Sequence, residues 1–93
     1  MRQTVEDALQ DLNPDALFMD GLDSAIIGWG CQYTKNPVVV YDEDKIIDHL
    51  TGVEGLSHVE AWEYYGFNIA GAWVGENTPI IMKQPLRLLQ GDE

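Results

Sequence analysis

Val38-Val39-Val40-Tyr41-Asp42-Glu43-Asp44-Lys45-Ile46-Ile47-Asp48-His49-Leu50 changes its hydrophobic period halfway along. Val38 to Tyr41 is a run of β-branched and aromatic residues, the composition of a strand. From Ile46 the apolar residues fall at helical spacing, with Ile46, Ile47 and Leu50 on one face. Asp42 stands where an N-cap is needed, and Glu43 and Asp44 fill a first turn in which the helix dipole favours carboxylates. A strand that runs directly into a capped helix, Glu43 to Leu50 with its stop near Gly52, points to an α+β fold.

Working upstream, Ala25-Ile26-Ile27-Gly28-Trp29-Gly30 reads as a second buried strand, in which Gly28 permits a bulge or a close backbone approach. The polar loop Cys31 to Pro37 is short enough to join the two strands as antiparallel neighbours. Before them, Val5, Ala8, Leu9 and Leu12 make one face of a short amphipathic helix, Thr4 to Leu12. Asn13 is expected to cap a further helical turn, Pro14 to Met19, with Gly21 beyond its end.

Downstream, Ser57 and Glu60 form a capping box that opens a helix running to about residue 73. His58, Trp62, Tyr65, Ile69 and Ala72 or Trp73 share one stripe along it. Gly66, Asn68 and Gly71 are poor helix-interior residues, each Gly costing about 1 kcal/mol against Ala. Close packing on the sheet, a helix break or a self-association surface would each offset that cost. Gly75 to Pro79 reads as a turn and Pro79 to Met82 as a third strand. The expected architecture is a small, about three-stranded, mostly antiparallel sheet covered by two or three helices. The chain reads as one domain, with an N-terminal helical segment (1–20), an α+β core (21–83) and a tail (84–93) that extends as a frayed strand.

The 93 residues carry sixteen acids against five bases, a net charge of −11, and 45% are apolar. That apolar share is ordinary for a folded domain. Clustered Lys and Arg, which nucleic acid phosphates and anionic membranes require, are missing, so neither is an expected partner. The complement of such a chain is a basic protein surface. No apolar run approaches the roughly 20 residues of a membrane span, and no basic region followed by an apolar stretch marks a signal peptide. The protein is expected to act where it is made. A single cysteine, Cys31, makes neither an internal disulfide nor a cysteine-rich zinc site, fits a reducing compartment, and reads as a small buried thiol.

Motifs that would carry catalysis are incomplete. Asp42-Glu43-Asp44 opens like a calcium loop but lacks the required Gly and terminal Glu. Gly28-Trp29-Gly30 lacks the third glycine and the helix of a dinucleotide loop. His49 and His58 fit no zinc pattern; His49 reads as a C-terminal dipole partner of its helix and His58 as a packed or partly exposed ring. Ser24 and Ser57 sit in no nucleophile elbow. Asp20 and Asp23 flank the first strand and read as turn formers. A metal-dependent enzyme would need Asp20, Asp23, Asp42 and Glu76 to converge. No cofactor is implied. Any cleft is expected to be lined by Asn68, Trp73, Glu76 and Thr78, with Asn68 bonded to the turn 75–78. An acidic, partly aromatic partner surface is expected from Asp42, Glu43, Asp44, Tyr64 and Phe67.

Several separated blocks occur in order: Ala25-Ile26-Ile27-Gly28, Val40-Tyr41-Asp42 with Lys45, Glu60-Ala61 through Glu63-Tyr64, Phe67-Asn68, and Gly71-Ala72 followed by Gly75-Glu76 and Thr78-Pro79. Across residues 20–82 the chain resembles a family of small uncharacterised proteins encoded by tailed bacteriophages and prophages. The resemblance implies a viral origin and a setting in the bacterial host cytoplasm, and brings no catalytic residues. The resulting expectation is a non-enzymatic acidic accessory protein that binds and modulates a host protein by occupying a basic surface. A small-molecule or nucleotide-sequestering protein with a site near Asn68–Thr78 is the alternative, and a homo-oligomer is compatible with the same surface.

Overall fold

The computed structural model describes residues 1–84. They form α1 (Arg2–Leu12), a 3₁₀ turn (Asp23–Ala25), β1 (Ile26–Gly30), β2 (Val38–Asp42), α2 (Glu43–Gly52), α3 (His58–Tyr65) with a π-helical continuation (Gly66–Ala70), and β3 (Ile80–Met82). Three helices on a three-stranded sheet make an α+β fold. The expected tail lies, apart from Gln84, outside the described residues.

β1 and β2 are antiparallel, as the short loop between them requires, and the register slips between Ile26 and Gly28. Gly28 has φ +155° and open space where a Cβ would stand, so it serves the bulge and not a close approach. β3 pairs with the other edge of β2, and this pairing is parallel, Val40 opposite Ile80 and Asp42 opposite Met82. The sheet is therefore mixed: the longer pairing, β1 with β2, is antiparallel as expected, and the β3 edge is parallel. Two helices lie between β2 and β3, and such a crossover returns the chain in the direction of the strand it left.

Asp42 caps α2 as its position demands: its carboxylate accepts from the amides of Asp44 (2.9 Å) and Lys45 (3.4 Å). Its Oδ2 also accepts from the Gln84 side-chain amide. Ile46, Ile47 and Leu50 are buried below it. α1 begins at Arg2, two residues earlier than the apolar pattern suggests, because Arg2 pairs with Glu6 and with Asp23 (2.7 Å) and lies over the Phe18 ring at 3.8 Å. Val5 and Leu9 are its buried face, whereas Leu12 is exposed.

Residues 14–19 do not make the helical turn expected of them; the chain turns once at Pro14–Asp15 and then runs on without helix. Asn13 explains the departure. Its Oδ1 accepts from the Asp15 amide (3.3 Å), but its Nδ2 donates to the Pro37 carbonyl (2.8 Å) and to Asn77 Oδ1 (3.0 Å). These long-range bonds pull the segment across the sheet edge. Cys31 stands beyond the end of β1 in an exposed loop and is a surface thiol, not a buried one.

The capping box of α3 is formed in both directions, Ser57 N to Glu60 Oε1 (2.9 Å) and Glu60 N to Ser57 Oγ (3.2 Å). Hydrogen bonding from the Ser57 amide, and then from its side chain, holds the Glu60 carboxyl below its ordinary pKa. The buried stripe is Ala61, Tyr65 and Ile69: Tyr65 and Ile69 face inward as expected, and Ala61 takes the inward place expected of Trp62. Trp62 is pushed to the flank, where its indole donates to His58 Nε2 (3.0 Å) and its ring meets Tyr65 edge-on at 5.6 Å. Tyr65 wins the interior because its hydroxyl donates to Glu43 Oε2 (2.7 Å), tying α3 to the start of α2.

That bond gives the fold an alkaline limit. Burial, then the Glu43 bond, push the Tyr65 phenol well above its ordinary range, and burial raises Tyr41 as well. Tyrosine in an unfolded chain ionises near pH ~10. Because the folded values lie higher, this stabilisation is complete below about pH 10 and declines above it, as the unfolded chain releases protons that the fold retains. Denaturant titrations at stepped alkaline pH should show falling stability, with a shallower fall for Tyr65→Phe. An identical slope in the variant would show that the phenol is not the group held protonated.

Candidate functional site

α3 does not continue as an α-helix past Tyr65. The five residues from Gly66 widen to π spacing, and Asn68 Nδ2 donates to the Tyr64 carbonyl (3.1 Å), a local bond that competes with the helix ladder. Gly66 has helical angles (φ −61°, ψ −42°) and nothing within 4 Å of a built Cβ, so close packing is not its reason. Gly66→Ala should therefore stabilise the protein by about 0.4–1 kcal/mol, measured by urea unfolding. A loss instead would show that the π geometry needs glycine.

The widened turn forms one wall of a groove of about 540 Å³. Tyr64, Asn68, Ile69 and Ala72 line it from this side, with Val74 and Pro79 from the following turn. The opposite wall is the segment Leu17 to Leu22, and the end is closed by His49 and Leu50 of α2 with Glu54 and Leu56 beyond it. One strap joins the walls, the Leu17 amide donating to the Asn77 carbonyl (3.3 Å), and the Met19 amide fastens the segment to β2 by donating to the buried Tyr41 hydroxyl (2.7 Å).

Most of the lining is apolar. Among the described residues its charged groups are Asp20 and Glu54, with neither Lys nor Arg. His49 Nδ1 lies 3.5 Å from Ser24 Oγ and its Nε2 lies 3.6 Å from Glu54 Oε1. This hydroxyl–imidazole–carboxylate row has the order of a hydrolytic triad. Its contacts exceed the roughly 2.6–3.2 Å that proton transfer uses, and Ser24 stands outside the lining. What the row does is tie the 3₁₀ turn to the end of α2.

Of the residues expected in a cleft, Asn68 lines the groove, and its amide bonds to Tyr64 and not to the turn 75–78. Trp73, Glu76 and Thr78 do not line it. Thr78 Oγ1 accepts from the Val74 amide (2.9 Å) and donates to the Gly75 carbonyl (2.7 Å), so it shapes the turn that carries Val74 and Pro79 inward. Among the expected partner residues, Asp42 is 2% exposed and unavailable to a partner. Glu43 is committed to Tyr65 and to Lys83 Nζ (3.6 Å). Tyr64 and Phe67 are exposed, Phe67 at 87%, together with Trp73 and Val74. Asp20, Asp23, Asp42 and Glu76 do not assemble: Asp20 faces the groove, Asp23 pairs with Arg2, Asp42 is the buried cap, and Glu76 is exposed on its turn. Among the described residues no group of three or more His, Cys, Asp or Glu is arranged to hold a metal ion.

The wall 17–22 was not legible as part of a site, although Leu17-Phe18-Met19 is an apolar run ahead of Asp20-Gly21. Among the described residues no helix is long and apolar enough to cross a membrane. No family model matches the chain, and neither a curated protein nor a solved structure is significantly similar to it.

Proposed function

We propose that this protein is a non-enzymatic, acidic accessory protein of the phage-encoded kind its sequence resembles, acting in a bacterial host by binding a host protein and occupying its basic surface. The observation that carries this reading is the exposure of Tyr64, Phe67, Trp73 and Val74 within one short segment of a strongly acidic chain. Large aromatic side chains left in solvent beside a groove have the composition of an interface centre. The surrounding negative charge would steer a basic partner toward it and accelerate association at low salt. The effect on the partner is steric: whatever its basic surface normally binds is excluded.

Affinity capture from a bacterial lysate tests the reading. A basic protein should be enriched at low salt and released as salt rises. Phe67→Asp should lose it while leaving the unfolding midpoint within about 0.5 kcal/mol of the parent, since the side chain is a surface one. Enrichment of nothing, or of a partner indifferent to both salt and Phe67, would end the proposal. The groove also keeps a small-molecule reading in play, with its chemistry narrowed: a nucleotide's phosphates would face Asp20 and Glu54 with no lining cation among the described residues. Thermal shift with nucleotides is expected to show no stabilisation.

A further inference from the structure

Asp20 lines the groove and has no ion-pair or hydrogen-bond partner among the described residues. Glu54 also lines it, and its carboxylate has, among the described residues, the 3.6 Å contact to His49. Leu17, Met19, Ile69 and Val74 are among the apolar residues of the same lining. A volume of about 540 Å³ falls in the range that holds a bulky apolar group. The combination selects an occupant with two properties: an apolar body to fill the groove and positive charge to meet its carboxylates.

We infer that the groove seats a short segment of the partner in which bulky apolar side chains are flanked by Lys or Arg. The inference rests on the partner-binding reading above and deepens it. An acidic or phosphorylated segment would place like charges beside Asp20 and Glu54, and a purely basic one would leave the apolar walls wet. Tyr64 belongs both to the groove lining and to the exposed ridge that carries Phe67, so one continuous partner surface covers the two. Apolar anchoring inside a groove with charge recognition at its edge is the usual division of labour at interface hot spots.

The probe is a short amphipathic peptide of Leu and Lys, titrated into the isotopically labelled full chain and followed by amide chemical shifts. Controls replace Lys by Glu or Leu by Ser. Saturable shifts are expected at Leu17, Ala72 and Val74 with the Leu/Lys peptide alone. Asp20→Asn with Glu54→Gln should weaken it about tenfold, a loss of about one charge-assisted contact. Ala72→Trp, which fills the groove from an exposed position, should abolish the shifts. Equal binding of either control peptide overturns the inference. So do shifts centred on Phe67 and Trp73 that survive Ala72→Trp, and that outcome leaves the partner-binding reading intact. A lysate capture that fails while the peptide still saturates the groove removes the reading and keeps the site.

Discussion

Tyr41→Ala is expected to remove a large share of the protein's folding stability. The side chain is fully buried in the centre of the core, and removing a buried aromatic costs about 3–5 kcal/mol. At about 0.05–0.15 kcal/mol per residue, a domain of 93 residues holds roughly 5–14 kcal/mol in total. A second loss adds to the cavity, because the Met19 amide, which donates to the Tyr41 hydroxyl at 2.7 Å, is orphaned. Tyr41→Phe separates the two contributions. It keeps the ring and removes the acceptor, for about 1–3 kcal/mol if Met19 finds no other partner. Urea unfolding of the three proteins reads both effects from the midpoints. A Tyr41→Phe variant as stable as the parent would mean that water or a shifted backbone satisfies Met19, and the segment 17–22 would then not be fastened to β2 by this bond.

What local chemistry decides was legible in the chain, and what distant segments decide was not. Asp42 at the strand–helix junction and the reciprocal Ser57–Glu60 caps each involve residues within four positions, so side-chain type alone identifies them. The parallel pairing of β3 has no such local signature. Pro79 to Met82 reads as a strand on either side of β2 and in either direction, and only the packing of α2 and α3 selects one. The inner face of α3 was ambiguous for a related reason. Ala61 and Trp62 are both apolar neighbours, and a bond from Tyr65 to Glu43, 22 positions away, turns the helix so that Ala61 faces in. The groove is the extreme case. Its lining comes from residues 17–22, 49–56 and 64–79, so reading Asn68 from its own surroundings could not bring these neighbours with it.

Asn13→Asp should be the most damaging polar substitution among these long-range contacts, and it should damage the groove as well as the fold. Asn13 is 4% exposed, and its amide donates to the Pro37 carbonyl and Asn77 Oδ1. Aspartate has nearly the same shape but no donor, so a buried negative oxygen would face two oxygens. Leaving such groups unsatisfied costs about 1–3 kcal/mol, and more when one is charged. Asn13→Ala removes the donor without the repulsion and is expected to fall between the parent and Asn13→Asp. Asn77 receives Asn13 through its side chain and Leu17 through its backbone, so both variants loosen the strap that joins the two groove walls. Amide exchange should accelerate at Leu17 in both, ahead of any change in the buried face of α2. If Leu17 exchange is unchanged while stability falls, Asn13 supports the core alone and the groove walls are held together by their apolar contacts.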